Sequence, residues 1–448
     1  MRSKSVFVPS RCSTASRMPS AIDALEAAVD AYENERLESS DDASTSFRHL
    51  ARARHIVKRL EKLIPLTVSR DGCASDSSDS AFDFSKYATR VIALHIAYAG
   101  WAYHGFASQG ARGKPTVEQF VFDALARTRL VSSSEDVFKT HDYARCGRTD
   151  KGVSGLGQII TLRVRSNGVD DVNLEHEIDY VSALNRALPD DIRALGWRPV
   201  EDGLSARFDC KWREYKYFFD HADGLDLDAM RKAARAFEGV HDFRNFCKMD
   251  AENVKSYTRG VFECRIELDG VRRMHYIRVR GSAFLWHQVR CMASVLFMVG
   301  LGRESPSIVA EMLDVAGATP RKPQYPMAPD ACLLLWRSGY DPDRLDVSDM
   351  FITERALSQL ETHVSQQVHR CRVRAAVWDE TWEHVVEARR KRGGDAAALA
   401  KDFAAVNCAG NISVARAPHV PLKNRPTEDT YDERVAKIAA AKLAKLDS

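Results

Sequence analysis

Between Ala283 and Val299 the chain reads AFLWHQVRCMASVLFMV, and a helix with that composition is apolar on almost every side. Such a helix has no face to offer water, so it must be packed all round. A bilayer would satisfy it, but the apolar stretch Ala283 to Leu301 contains His287, Gln288 and Arg290, and no run reaches the roughly 18 apolar residues a span requires. The covering therefore has to come from the chain itself, as layers of other elements. Arg290 adds a second demand, because a guanidinium inside an apolar helix needs a carboxylate partner.

The covering layers are legible as period-two and period-3.6 segments. Val91 to Tyr98 and Gln158 to Val164 read as strands. Trp212 to Phe219 alternates, placing Tyr215, Tyr217 and Phe219 on one side. Phe262 to Leu268 and Met274 to Arg280 read as a hairpin. A capping box of Thr116 and Gln119 after Pro115 opens a helix with Val117, Phe120, Val121, Ala124 and Leu125 on its inner face. Asn173 to Leu188 and Asp226 to Phe237 are further predicted helices. Strands and helices mixed with hairpins predict the α+β class.

At about 150 residues per domain, the 448 residues imply two or three units. A Ser/Asp-rich stretch, Asp71 to Ser80, separates an N-terminal extension (1–85) from the body, and composition changes again near Tyr340. His363 to Trp382 and Glu383 to Val406 are predicted as two added helices, and the chain from Pro418 as a helical or frayed appendage. In the extension, 21–37 and 47–63 show helical spacing. The first twenty residues, rich in Arg and Ser and without acid, resemble an organellar transit peptide, although a disordered tail would look the same. Ten cysteines with no C-x-x-C pair point to reduced thiols in an intracellular compartment rather than to a zinc site or a disulfide framework.

The net charge of +3 is too small to mark a nucleic-acid binder in bulk. Three local features do better. In RCGRTDKGV (145–153) a carboxylate, Asp150, lies between Gly147 and Gly152 among Arg145, Arg148 and Lys151, cations expected to lower its pKa and hold it ionised. Such an aspartate could be a nucleophile, a base or a metal ligand, and a solvated turn would have the same composition. From Ala206 to Tyr217 cations alternate with aromatics, the pairing RNA readers use for phosphates and bases, and equally that of a half-buried strand. From Val271 to Arg303 there is no acid, yet Arg272, Arg273, Arg278, Arg280, Arg290 and Arg303 are present, which predicts a positive patch. His287, one turn before Arg290, fits a core or capping histidine better than a site residue.

Taken in order, YAGWAYHGFASQ (98–109), RCGRTDKGVSGLGQ (145–158), LPDDI (188–192), ARF with REYKY (206–217) and FLWHQVR (284–290) resemble the motif series of the TruA-type tRNA pseudouridine synthases over about Val91 to Tyr340. HDFRNFCKMD (241–250), PQYPMA (323–328) and VPLKNRP (420–426) resemble the eukaryotic branch acting on tRNA positions 38 and 39. Ser154 and Gly155 stand where bacterial members usually have His-Ala.

That resemblance implies a pseudouridine synthase fold: two ferredoxin-like subdomains (86–200 and 201–340) whose sheets join into a continuous, mainly antiparallel platform with a central cleft, followed by a helical C-terminal extension (341–448). It implies Asp150 as the essential aspartate, Tyr215 stacked on the target base and Arg290 paired with Asp150. Arg148 would hold the extruded uridine. Arg145, Lys151, Arg207, Phe284 and His287 complete the expected substrate contacts, with the arginine-rich stretch after Val271 gripping the backbone. The isomerisation needs no cofactor and no metal. Its partners would be the tRNA anticodon arm and a second copy of the chain, without a membrane, in the nucleus or cytoplasm or, through the N-terminus, the mitochondrion. Competing readings are an RNA-binding protein without activity, the same chemistry at another tRNA position, and a metal-dependent nuclease, disfavoured because no second clustered carboxylate accompanies Asp150.

Overall fold

The computed structural model describes residues 82–446 apart from 111–112, 136, 172, 221–223 and 396–417. The expected N-terminal helices and targeting segment lie outside the described residues. Nine strands, β1 (Ala88–Tyr98), β2 (Ala144–Arg145), β3 (Ser154–Ser166), β4 (Ile192–Pro199), β5 (Trp212–Phe219), β6 (Gly239–Asp242), β7 (Thr258–Asp269), β8 (Met274–Gly281) and β9 (Leu333–Gly339), form one sheet. Its order is β4-β1-β3-β9-β5-β8-β7-β6, with β2 beside β3. Neighbours pair antiparallel except at the centre, where β3 and β9 run parallel through Ser154 with Leu334 and Gly155 with Leu335. That short seam joins the two halves. Gly157 permits it, since a Cβ there would lie 2.5 Å from the Arg337 Cα.

Helices α1 (Val117–Arg127), α2 (Val137–Thr140) and α3 (Tyr180–Ala187) belong to the first half, and α4 (Leu227–Arg235), α5 (Gln288–Gly300) and α6 (Ile308–Leu313) to the second. Each half has its own core. Ile92, Leu94, Ile160 and Leu162 pack under Val121, Leu125, Tyr180 and Leu184 in one, and Tyr217, Phe219 and Ile277 pack under Met230, Phe297 and Val309 in the other. The alternation in β5 thus puts Tyr217 and Phe219 into the core and leaves Tyr215, third on that face, half-buried at its edge.

Several sequence expectations are corrected. The apolar helix begins at Gln288 rather than Ala283, because His287 takes a left-handed conformation (φ 63°) and Phe284 to His287 remain a loop. The capping box does not form: Thr116 makes no capping bond, and Gln119 instead accepts from Ser108 and donates to Asp123. The helix expected from Asn173 is a short 3-10 turn, Leu174–His176, followed by α3, whose start is set by Asp179 accepting from the Ser182 amide.

Beyond β9, one continuous helix, α7 (Glu354–Lys391), takes in the whole of the predicted helix His363 to Trp382 and the start of the one predicted from Glu383, whose end lies outside the described residues. Its first turns are anchored by Thr353 on Asp179 (2.9 Å), by the buried Ala356 and by His363 on the Asp190 carbonyl (2.8 Å). The last segment is no frayed appendage. Leu422 is fully buried in the core of the second half, its amide and His419 both donate to Glu304, and Lys322 pairs with Glu428 ahead of α8 (Tyr431–Leu446).

Candidate active site

The Asp150 loop links β2 to β3, and its shape is imposed from beneath. The Thr149 hydroxyl bonds the buried Tyr98 hydroxyl at 2.8 Å, and the Thr149 carbonyl accepts from the Phe106 amide. The Gly152 amide donates to the Tyr103 carbonyl. The 98–109 motif is therefore a cradle for 145–153. Gly105 (φ 99°) is needed because a Cβ would approach the Thr149 carbonyl oxygen to 2.8 Å, and Gly152 (φ 78°) turns the chain back against Asp330.

Arg213 ties the loop to its surroundings, donating to the carbonyls of Cys146 (2.8 Å), Arg207 (2.9 Å) and Ser282 (3.0 Å). Behind the loop the buried Cys146 and Cys210 thiols face each other at 3.6 Å, both free.

Above the seam lies a cavity of about 480 Å³ lined by eight of the nine expected site residues: Asp150, Arg145, Arg148, Arg207, Tyr215, Phe284, His287 and Arg290. Lys151 is exposed and is not part of its lining. Arg145 is a wall rather than a ligand, because its guanidinium pairs with the buried Glu118, which also accepts from the Tyr143 hydroxyl. Arg148 and Arg207 are exposed and make no ion pair among the described residues. Tyr215 meets Phe284 edge to face, with centroids 5.2 Å apart.

The electrostatics of Asp150 depart from the sequence expectation. Burial pushes its carboxyl up to about 6, and the opposing influence of Arg290, the Trp286 side chain and Lys248 does not overcome that, while Asp330 raises it further. Neighbouring cations lower this pKa without bringing it below the ordinary carboxylate value, which the RCGRTDKGV composition had suggested they would do. Desolvation wins because the loop folds the carboxylate inward, leaving its side chain 24% exposed, and turns Arg145 away onto Glu118. At pH 7 the group is still about nine-tenths ionised.

Arg290 is corrected in the same way. Its Nε donates to the Ala328 carbonyl (2.8 Å), and the carboxylate oxygen in ion-pair range is that of Asp330, at 3.9 Å, so it acts on Asp150 through space. Asp330, arriving from the turn before β9, acts on Asp150 as a like charge through space.

His287, read from sequence as a core or capping residue, makes no capping bond and points into the cavity, with Nε2 3.7 Å from Asp150. Burial and nearby cations push its imidazole down to about 4, so near pH 7 it is neutral beside an ionised Asp150.

The acid-free stretch after Val271 proves acid-free only in sequence. Across the strands Arg278 pairs with Glu214, Glu263 and Glu267, Arg280 approaches Glu263, and Arg272 pairs with Asp269. It is not the positive patch the sequence suggested.

A mainly antiparallel sheet divided by a cleft, with Asp150 in the cleft floor and unpaired arginines at its rim, is the layout of a pseudouridine synthase fold. A family model for tRNA pseudouridine synthase matches residues 233–341. The chain is 44% identical over 298 residues to a mouse tRNA pseudouridine(38/39) synthase, covering 61% of this chain and 60% of that protein, and 45% identical over 264 residues to one from Saccharomyces cerevisiae, covering 57% and 58%. A tRNA pseudouridine synthase A from the archaeon Methanothrix thermoacetophila is 33% identical over 290 residues, which is 62% of this chain and 97% of that protein. The chain belongs to the TruA-type tRNA pseudouridine synthase family. It spans about 60% of the length of the mammalian relative it matches.

Sequence reasoning missed four residues that shape the site. Trp286 and Lys248 lie inside recognisable motifs, but nothing in their residue type sets them apart there. Glu118 lies between Thr116 and Gln119 and carried no signal of its own. Asp330 carried none, because nothing local marks a carboxylate that reaches the site through a parallel strand pairing.

Proposed function

We propose that the chain isomerises uridine to pseudouridine in the tRNA anticodon arm, at positions 38 and 39, the positions named for the mouse and yeast relatives. The observation that carries this is Asp150, held ionised at neutral pH in the floor of a cavity whose rim offers the unpaired Arg148 and Arg207. Those cations meet the phosphates of an extruded nucleotide, and Tyr215 receives its base. Extrusion costs about a few kcal/mol, which stacking and phosphate contacts offset.

The reaction breaks N1–C1′, turns the uracil, forms C5–C1′ and moves one proton from C5 to N1, so it balances without oxidant, cofactor or water. Asp150 acts on the sugar or the base, either by adding to C1′ or C6 or by accepting the C2′ proton. The apolar lining, Val153, Leu285 and Leu333 among it, keeps water from the detached ring. The working form is a homodimer in which one tRNA touches both subunits, which sedimentation of the full chain checks.

The test is Asp150→Asn. It should bind tRNA normally while forming no pseudouridine, and near-normal turnover would refute the reading. Tyr215→Phe should lose less activity than Tyr215→Leu. A wild-type chain that binds tRNA without forming pseudouridine would favour the alternative of an inactive RNA-binding protein.

A further inference from the structure

We propose that Trp286 and Lys248 form a second nucleotide subsite at the cavity mouth, where the indole stacks on an unpaired base flanking the target uridine and the ammonium takes that nucleotide's phosphate. The inference rests on the activity proposed above.

Trp286 is 45% exposed, although Leu285, Gln288 and Val289 around it are buried. A large apolar ring held in water next to a buried apolar segment is a cost unless something covers it. Its backbone is fixed on both sides: the Trp286 carbonyl accepts from the Lys248 amide at 2.9 Å, Gln288 Oε1 accepts from the Leu285 amide at 2.8 Å, and His287 turns the chain through a left-handed conformation. The imidazole of His287 lies 4.9 Å from the Trp286 ring and backs it. A platform fixed in this way loses little freedom when a base lands on it.

Lys248 supplies the second half of the subsite. Its Nζ stands 4.2 Å from the Trp286 ring centroid, and it makes no ion pair among the described residues. An ammonium resting on an aromatic face is a weakly held cation that a phosphate displaces readily, and its departure uncovers the face for a base. Aromatic faces interleaved with cations are how single-stranded RNA is held without base-specific hydrogen bonds. The cavity, at about 480 Å³, has the volume of a drug-sized ligand, more than one uracil ring occupies.

The experiment uses the full chain with anticodon-arm RNA carrying 2-aminopurine beside the isomerised uridine, at pH 8 so that Asp150 is ionised in every variant. Wild type should quench the fluorophore on binding. Trp286→Leu should lose that quenching and raise KM about tenfold, the worth of one base stack, while any fall in kcat from losing the indole N–H at Asp150 is shared by Trp286→Phe. Trp286→Phe should restore the quenching and KM, so that KM reads the stack and kcat the bond to Asp150, and its thermal midpoint shows that the fold is intact. Lys248→Gln should raise KM and lower the salt slope of binding by about one. Unchanged KM and quenching in Trp286→Leu, or a fall in kcat at unchanged KM, would overturn the subsite while leaving the proposed activity standing. Absence of pseudouridine with wild type would instead sink the activity on which the subsite depends.

Discussion

Two arginine-bearing regions of this molecule have similar compositions and opposite fates. In the hairpin of β7 and β8, Arg272, Arg278 and Arg280 each face a carboxylate, and Glu214 from β5 joins them. At the cavity rim, Arg148 and Arg207 face none among the described residues. A stretch without acids is therefore not a positive field: on a sheet the neighbours that matter are one strand away, and they come from elsewhere in the chain. The two cations at the rim, Arg148 and Arg207, lie on loops, where no strand lies opposite.

The largest expected effect comes from breaking the clamp behind the rim. Arg213→Met removes donors to three loop carbonyls at once, so turnover should fall by about 100-fold or more, given the sensitivity of reacting geometry to small displacements. Single-turnover kinetics at saturating RNA would show it.

Next, Arg148→Ala combined with Arg207→Ala should weaken tRNA binding and reduce the slope of log affinity against log salt by about two, one for each phosphate that is no longer neutralised. Arg278→Met should do the reverse. It should leave affinity unchanged and destabilise the fold by about 1–3 kcal/mol, because Glu214, whose carboxyl burial already pushes up, and its neighbours are deprived of their counter-charge. If both variants lost affinity alike, the contrast between hairpin and rim would be wrong.

A smaller effect concerns stability. The folded-state pKa of Asp150 lies above its unfolded value, so ionising it costs folding free energy that is absent below about pH 4 and grows as pH rises through about 6. Asp150→Asn should thus stabilise the fold by about 1–3 kcal/mol at pH 8 and by nothing at pH 4, which thermal denaturation at the two pH values would reveal.

The smallest effects are shifts in the pH profile. Activity should fall on acidification with a midpoint near 6. Arg290→Met should move that midpoint up and Asp330→Asn should move it down, each by about one unit, as expected for charges acting through a half-buried site. Movement in the same direction would show that the two side chains do not bracket Asp150 as opposite charges.

Much of this architecture was legible in the residues, and the failures have a common cause. Trp212 to Phe219 alternates because one face meets a core, and its bounds are those of β5. Eight of the nine site residues expected from the motif series line the cavity. What the sequence hid is pairing across distance. The partners of Arg145, Arg278 and Arg290 are Glu118, Glu263 and Asp330, each from a different segment. The raised pKa of Asp150 was invisible because composition shows which charges are near in sequence, whereas burial depends on how the loop is folded over the cradle at 98–106. Residue type alone places His287 in the core or at a cap, although the motif series includes it, because its left-handed backbone, which swings the ring towards Asp150, has no residue-type signature.

The β3–β9 seam bears on how the chain is made. Ser338 reaches the Gly157 carbonyl across 181 residues, and the seam beneath Asp150 exists only once β9 is in place. A chain emerging from the ribosome therefore carries its aspartate long before it has a cleft. Pairing across such a separation is a slow step, because the intervening chain must first be closed into a loop. Any synthesis arrested before residue 333 leaves a first half without the seam and without Phe351 and Ala356, which complete its core, so competence would arrive late and all at once.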